Sequence, residues 1–339
     1  MGEGGGQVLR TSLGLSLVTG QPFRIENIRA GRPKPGLMRQ HLTAVRAAAQ
    51  VSGAAVSGDA VGSRELAFAP GPVRPGAYEF AVGTAGSATL VFQTLLPALM
   101  IADAPSQLML QGGTHNPGSP PFDFLAKAFL PLLGRMGPRL TAELIRPGFY
   151  PAGGGELRVS ITPSPSLRPL ELTQRGEILA RRARAIVARL PDHIAQRELA
   201  VVEQKLGWTS EALAAERMDS SLGPGNILLL EIESRHVTEV FCAFGEIHTR
   251  AEAVAAKAVE EAQDYLSAGV PVGAHMADQL LVPLALSAFQ GGGGRFVTLR
   301  PTRHTRTNID VIQKFMNVKI TIAQLQQNTR AWEIDVRPL

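Results

Sequence analysis

Three consecutive glycines at residues 153–155 lie between two segments with the alternating pattern of β-strands, and they constrain the fold of this chain more than any other feature. The strand patterns cover residues 139–145 and 156–161. Glycine loses more backbone freedom on folding than any other residue, so such a run is unfavourable unless the backbone must turn tightly or approach another backbone or a ligand. We therefore predict a close approach within residues 148–157. An ordinary hairpin turn is the alternative.

Composition restricts the class of protein. The 339 residues are 45% hydrophobic and 19% charged, which is typical of a globular chain with room for two domains. A single cysteine, Cys242, excludes an intrachain disulfide and a Cys-based zinc site, and favours a reducing, cytoplasmic compartment. The glycine-rich start does not match a signal peptide. The longest apolar stretch, residues 88–102, is broken by Gln93 and Pro97 and predicts a buried helix instead of a membrane span.

The net charge is +5, and arginines near both ends of the chain contribute much of the basic excess. Such a balance suits a polyanionic partner, and a solvated basic surface is the alternative.

Strand and helix patterns alternate along the chain, which predicts a mixed α/β architecture with helices packed on sheets. Predicted strands include residues 23–28, 65–68, 78–82, 107–111 and 296–299. Predicted helices cover residues 37–51, 88–102, 122–133, 193–206, 250–266 and 309–315, and one more runs to Phe289.

A strand–loop–helix unit recurs. AGRPKPG at residues 30–36 and GGTHNPG at residues 112–118 share two glycines and a proline at the same spacing, and residues 300–307 form a weaker third copy. The repetition predicts duplicated modules around a pseudo-symmetry axis. Residues 176–268 have a different texture, and we predict a smaller α/β domain there, inserted into a large domain of residues 1–175 and 269–339.

His304 is the candidate nucleophile. It is flanked by three arginines and follows a strand predicted to end near Arg300, with Thr307 or Asn308 predicted as the N-cap of the next helix. Backbone N–H groups at a helix start bind anions, and their partial positive charge favours a neutral imidazole. Arginines suit phosphate oxygens. A solvent-exposed loop histidine is the alternative.

Two other polar sets are candidates for a site. His275, Asp278 and Gln279 fall at i, i+3 and i+4, on one helix face that either points into a site or is solvated. The run EGGGQVLR at residues 3–10 could cradle phosphate at a helix start, with Glu3 available to a metal ion, although it lacks the Walker pattern. A loose terminal run is the alternative interpretation of that segment.

Three further side chains are assigned no chemistry. His41 is predicted on a helix surface and Cys242 in the core, and His115 receives no role.

These motifs together resemble the RNA 3′-terminal phosphate cyclase family nearly end to end. The resemblance rests on EGGGQVLR at 3–10, IRAGRPKPGL at 28–37, RQHL at 39–42, GTAGS at 83–87 with Gln93, the 148–157 stretch, ADQL at 277–280, and His304 with Thr307. It implies a large domain of three repeated βαβαββ-type modules, similar to the C-terminal domain of translation initiation factor 3, with an inserted small domain.

The resemblance also implies a three-step reaction with ATP and with Mg²⁺ or Mn²⁺. His304 attacks the α-phosphorus of ATP to give a covalent histidine–AMP, AMP passes to an RNA 3′-phosphate, and the neighbouring 2′-OH then closes a 2′,3′-cyclic phosphate. By position in the resemblance, Glu3 would serve the metal and the ATP phosphates. Phosphates of ATP or RNA would be held by Arg10, Arg29, Arg32 and Gln40. The nucleotide pocket would be lined by Gln93, His275, Met276, Ala277, Asp278 and Gln279.

The chain departs from the family pattern at three places. The family has a short strand before the EGGG run, which here begins at residue 3; His275 stands where a tyrosine is expected to stack on adenine; and Pro147 replaces a basic residue. The alternatives to a cyclase are a non-catalytic cyclase-like RNA-binding assembly factor, which would lack the nucleophilic histidine, and an enolpyruvyl transferase built from similar modules. The partners implied are ATP and RNA with a 3′-phosphate end, without a membrane; the oligomeric state stays open.

Overall fold

The computed structural model describes residues 5–339 and has a mixed α/β architecture, as the alternating patterns predict. Its helices are α1 (Gln7–Thr19), α2 (Arg39–Ser52), α3 (Ala88–Leu99), α4 (Phe122–Phe124), α5 (Leu130–Met136), α6 (His193–Leu206), α7 (Ala251–Ala268), α8 (Ala274–Phe289) and α9 (Arg303–Phe315). A π-helical turn, Leu125–Phe129, joins α4 to α5. Among the described residues, no helix is long and apolar enough to cross a membrane.

Within residues 5–339 the strands form four separate sheets. They are β1 (Phe23–Ile25), β2 (Ala55–Ser57), β3 (Leu66–Ala69), β4 (Ala77–Ala81), β5 (Ser106–Gly112), β6 (Arg139–Arg146), β7 (Gly155–Thr162), β8 (Leu170–Leu172), β9 (Ile178–Ala188), β10 (Leu213–Arg217), β11 (Gly225–Ser234), β12 (Thr238–Phe244), β13 (Gly294–Thr298), β14 (Val318–Leu325) and β15 (Asn328–Pro338). The sheet orders are β1-β3-β2, β4-β5-β7-β6, β10-β9-β11-β12 and β14-β15-β13-β8.

Two of these sheets share one connectivity. In one, β4 pairs parallel with β5, while β7 is antiparallel to both β5 and β6. In the other, β8 pairs parallel with β13, while β15 is antiparallel to both β13 and β14. The three-stranded sheet has the same antiparallel part, since β3 pairs antiparallel with both β1 and β2.

Two apolar cores hold the described chain together. The larger contains side chains from α1 to α5, α8 and α9. The smaller lies between the sheet of β9 to β12 and the helices α6 and α7, and also includes Val297 and Ala331. Periodic apolar positions explain both cores, because one face of each helix is apolar and packs on a sheet.

The turn between β6 and β7 makes the close approach that the glycine run predicts. A Cβ atom on Gly148 would lie 2.3 Å from the Gly155 nitrogen and 2.5 Å from the Gly112 carbonyl oxygen. Gly153 and Gly154 adopt φ values of 67° and 68°, a region that side chains disfavour. The prediction of a close backbone approach is therefore confirmed, and the neighbours are other backbone segments.

Some predicted boundaries are wrong. The helix predicted at residues 309–315 begins six residues earlier, at Arg303. The strand predicted over residues 23–28 ends at Ile25, and the helix predicted over residues 122–133 is interrupted by the π-helical turn and continues to Met136.

Glu198 of α6 is a carboxyl buried in the smaller core, with 0% of its surface exposed. Its Oε2 atom accepts a hydrogen bond from Nδ2 of Asn226 at 3.0 Å, and Oε1 has no hydrogen-bond partner within the described chain. Burial raises the pKa of this carboxyl to about 7 because it penalises the charged form, and the bond from Asn226 acts in the opposite direction.

We predict that Glu198→Gln becomes progressively more stable than the wild type as pH rises from about 4.5 to about 7. In the unfolded chain the carboxyl ionises near its ordinary pKa of 4.5, whereas the folded one holds its proton until about pH 7, so wild-type stability falls across that window. Glutamine does not titrate, and the expected gain at about pH 8, relative to pH 4, is on the order of 3 kcal/mol. Urea unfolding at several pH values measures the difference, and a difference that does not change with pH would contradict the assignment.

Candidate active site

His304 lies in the first turn of α9, where the beginnings of α1, α8 and α9 meet. The predicted loop position is wrong, because Thr302 is the N-cap: its Oγ1 accepts a hydrogen bond from the Thr305 N–H at 3.1 Å. This hydroxyl caps the helix five residues before Thr307, the nearer of the two predicted caps, and both Thr307 and Asn308 are buried inside α9. His304 still stands at a helix N-terminus, as its proposed chemistry requires.

Gln7, the first residue of α1, joins the histidine to a carboxylate. Its Oε1 atom lies 2.8 Å from Nδ1 of His304. Its Nε2 atom donates to both carboxylate oxygens of Asp278, at 2.8 and 2.9 Å. Three side chains from α1, α8 and α9 therefore form one chain of hydrogen bonds.

Asn308 braces the same three helices one turn further along α9. Its Oδ1 atom accepts a hydrogen bond from the Thr11 hydroxyl at 2.8 Å, and its Nδ2 atom donates to the Asp278 carbonyl oxygen at 3.1 Å. Thr11 is four residues after Gln7, and Asn308 is four residues after His304, so each pair lies on one helix face. The bonds of Asn308 therefore hold α1, α8 and α9 at the separation that lets Gln7 reach both His304 and Asp278.

Charge in this region is partly removed from water. Burial raises the pKa of the Asp278 carboxyl, opposed by His304, Gln7 and Arg10. Burial likewise lowers the pKa of the Arg10 guanidinium to about 10, and Asp278 acts in the opposite direction. Arg10 remains a cation at neutral pH and can hold phosphate oxygens strongly because it is desolvated.

A narrow recess opens beside these residues between α1, α3 and α8. Its volume is about 90 Å³, and Gln93 of α3 is hydrogen-bonded across it to Gln279 of α8. A cavity of ~150 Å³ is needed to hold benzene. The recess is therefore smaller than the space a purine ring would fill.

His41 is buried, so its predicted place on a helix surface is wrong. It exposes 5% of its surface, and its Nδ1 atom accepts a hydrogen bond from the Met38 N–H at 3.3 Å. Burial, followed by the charges of Arg10 and Arg29, lowers its pKa to about 3. The imidazole is therefore neutral, beside Gly6 at the start of α1.

The loop before α2 supplies two arginines of different character. Arg29 adopts φ 54° and donates through Nη1 to the carbonyl oxygens of Lys34 and Gly36, at 2.7 and 2.9 Å, so part of its guanidinium shapes the loop. Arg32 is exposed and reaches Gly5, where a Cβ atom would lie 3.3 Å from its Nη2 atom.

Gln40 of α2 uses its Oε1 atom to accept the Ser87 N–H at 3.0 Å. Only its Nε2 atom can serve a phosphate.

The other predicted pocket residues at the start of α8 point to different surroundings. His275 is exposed, and its Nε2 atom lies 3.5 Å from Oε2 of Glu261 on α7. The side chains of Met276 and Ala277 are buried in the larger core and exclude a side-chain contact with a ligand in this arrangement. Glu3 lies outside the described residues.

The structure thus brings together His304, Asp278, Arg10, Gln93 and Gln279 from the predicted set. Three contributors were missed in the sequence: Gln7, Thr11 and Asn308. Their signal is the i, i+4 spacing on α1 and α9. Chemically, the arrangement offers a hydrogen-bonded imidazole, a partly buried cation and helix N–H groups in one region, which suits nucleophilic attack on a phosphoryl group.

The comparisons with known proteins point to one family. The family model described as RNA 3′-terminal phosphate cyclase matches residues 1–322. A protein of Ectopseudomonas mendocina named RNA 3′-terminal phosphate cyclase is 53% identical over 98% of this chain and 96% of its own length. Proteins of the same name from Koribacter versatilis and Salmonella enteritidis are 53% and 49% identical, over 97% and 94% of this chain and 92% and 93% of theirs.

Proposed function

We propose, from the premise that this chain belongs to the RNA 3′-terminal phosphate cyclase family and is an enzyme of it, that it uses ATP to convert an RNA 3′-phosphate into a 2′,3′-cyclic phosphate through a histidine–AMP. The observation that carries the mechanism is His304, held through Nδ1 in the first turn of α9, with the partly buried cation Arg10 near the same Asp278 carboxylate.

In the first step, the Nε2 lone pair of His304 attacks the α-phosphorus of ATP. The Nε2–P bond forms as the bridging P–O bond breaks, and pyrophosphate leaves with the bonding electrons. The helix N–H groups of α9 and the guanidinium of Arg10 stabilise the charge that develops on the phosphoryl oxygens.

In the second step, an oxygen of the RNA 3′-phosphate attacks the same phosphorus and the Nε2–P bond breaks, which returns a neutral imidazole. In the third step, the neighbouring 2′-OH attacks the 3′-phosphorus, the P–O bond to AMP breaks, and the hydroxyl proton leaves with AMP. The 2′-OH is held beside its target by the ribose itself, so proximity supplies much of the rate.

Four side chains are proposed to hold phosphates: Arg10, Arg29, Arg32 and Gln40. Support comes from the partly buried charge of Arg10 and from the reach of Arg32 to the start of α1. Arg29 and Gln40 each have one group engaged in shaping loops, so their remaining N–H groups would make the contacts. A magnesium or manganese ion would neutralise the ATP phosphates, with Glu3 as its proposed protein ligand.

The nucleotide pocket is proposed at the recess of α3 and α8. Gln93, Asp278 and Gln279 line it directly. His275 would stack on the base only from its exposed position at the start of α8, and Met276 and Ala277 would act through the backbone.

We extend the proposal to the domain plan. The shared connectivity of two sheets, and its antiparallel part in a third, supports three copies of one module in residues 1–175 and 269–339. The smaller core supports an inserted domain at residues 176–268. The free thiol of Cys242 suits a reducing compartment, which we propose to be the cytoplasm.

A non-catalytic RNA-binding assembly factor is the weaker alternative. A binding protein without catalysis would not need the hydrogen-bonded placement of His304. The relatives described above are also named as cyclases.

End-labelled RNA with a 3′-phosphate, incubated with ATP and Mg²⁺, tests the proposal. We expect an end that resists phosphatase and forms only with ATP. A matched RNA with a 2′-deoxy terminal nucleotide should stop at the 3′-adenylylated end because it lacks the attacking hydroxyl. Unchanged 3′-phosphate in both RNAs would contradict the proposal.

A further inference from the structure

We infer that Gln7 is the positioning residue that places the imidazole proton of His304 on Nδ1, and that Asp278 fixes the orientation of Gln7. The inference rests on the proposed function only in treating His304 as a nucleophile. The position of the proton on Nδ1 is argued from the hydrogen-bond geometry alone.

The orientation of the Gln7 amide is determined by its partners. Both oxygens of the Asp278 carboxylate lie within 2.9 Å of the same atom of Gln7. An ionised carboxylate only accepts hydrogen bonds, so the atom facing it must be the NH₂ group. The second amide proton points toward the His304 carbonyl oxygen at 3.3 Å. A reversed amide would face three acceptor oxygens with an oxygen of its own.

The amide oxygen of Gln7 consequently faces Nδ1 of His304 at 2.8 Å. A carbonyl oxygen has no proton to give, so Nδ1 must be the donor. A neutral imidazole carries one ring proton, which leaves the lone pair on Nε2. The hydrogen-bond chain from Asp278 through Gln7 therefore selects the tautomer that attacks through Nε2.

The same bond assists after attack. When the Nε2–P bond forms while Nδ1 keeps its proton, the ring becomes positively charged, and the Nδ1–H bond to Gln7 becomes charge-assisted. The Thr11–Asn308 and Asn308–Asp278 bonds hold α1, α8 and α9 in place, so the donor and acceptor need no rearrangement during the step.

The first test is direct observation of the tautomer by ¹⁵N NMR of labelled histidine in the full chain. We expect the proton on Nδ1 in the wild type and a loss of that preference in Gln7→Leu. A wild-type proton on Nε2 would overturn the inference whether or not the protein adenylates itself.

The second test moves the negative charge from Asp278 to residue 7 by substitution. The measured quantity is the single-turnover rate of self-adenylation from ATP. Gln7→Leu should slow this step about 10- to 100-fold, the usual effect of losing an orienting partner, while the ATP concentration for half-saturation changes little. Gln7→Glu should be as slow, because it places two carboxylates against each other.

The double variant Gln7→Glu with Asp278→Asn should recover at least about tenfold over Gln7→Glu, because the asparagine amide donates to the new carboxylate, which still accepts from Nδ1. Its pH profile should move to higher pH, since a carboxylate stabilises the imidazolium. A double variant no faster than Gln7→Glu would overturn the inference.

Gln21 offers the matched control. Its Nε2 atom also reaches α9, donating to the Phe315 carbonyl oxygen at 3.1 Å at the far end of that helix. Gln21→Leu removes a comparable link, between the segment just after α1 and the end of α9, and should leave the adenylation rate unchanged. Equal losses in Gln7→Leu and Gln21→Leu would mean that Gln7 merely joins α1 to α9. A wild type that shows the Nδ1 proton but never adenylates would contradict the proposed function and leave the tautomer assignment standing.

Discussion

Gly148→Ala is expected to destabilise the protein by about 3 kcal/mol or more, the largest effect on stability that we predict. The added methyl group would lie 2.3 Å from the Gly155 nitrogen and 2.5 Å from the Gly112 carbonyl oxygen. Both neighbours are backbone atoms, which cannot turn aside as a flexible side chain can. The strain also reaches the Thr114 loop, because the Gly148 N–H donates to Thr114 Oγ1 at 2.9 Å. Urea unfolding measures the loss.

Gly134 of α5 is the control for that substitution. No atom lies within 4 Å of the position that its Cβ would occupy. Gly134→Ala should therefore be neutral or stabilising by up to about 1 kcal/mol, as expected for an open helix position. Similar small effects at both glycines would contradict the close approach at Gly148.

His304→Ala has the largest expected effect on activity. Cyclisation from ATP should fall by about 10⁴-fold or more, because no other group replaces the nucleophile. The variant should still cyclise RNA supplied with a 3′-adenylylated end at a rate within about tenfold of the wild type, since the third step does not pass through the Nε2–P bond. A quenched-flow assay with the two RNA substrates separates these steps.

His193 provides the matched control, because it is an exposed histidine at the first position of α6 and so shares the helix N-terminus without the surrounding site. His193→Ala should leave both reactions unchanged. An equal loss with both RNA substrates in His304→Ala would indicate that the histidine does more than carry AMP.

The backbone features could be predicted from the sequence because they follow local rules. Glycine tolerates close approach and positive φ, so the composition of the 148–157 stretch indicated its geometry. Alternating apolar patterns predicted the strands at residues 139–145 and 156–161 to within one residue at either end.

The prediction of where α9 starts failed because the sequence offers four possible N-cap side chains within seven residues. They are Thr302, Thr305, Thr307 and Asn308. Only the folded chain shows that the Thr302 hydroxyl meets the Thr305 N–H. The strand before it also ends earlier than its apolar pattern suggests.

The site itself could be predicted only in part. The pattern and the family resemblance pointed to His304 and Asp278, whereas the contact that joins them passes through Gln7, which is 297 residues from His304 along the chain. The prediction that His41 lies on a helix surface failed for the same reason, because the start of α1 packs over this side chain and buries it. Contacts between distant segments leave no periodic trace in a sequence.

Covalent labelling with α-labelled ATP and Mg²⁺, without RNA, is the decisive measurement for the role of His304 as the nucleophile. We predict one acid-labile AMP bound to the protein, released pyrophosphate in equal amount, and label on the peptide that contains His304. Label that persists in His304→Ala, or that maps to another residue, would contradict the proposed mechanism.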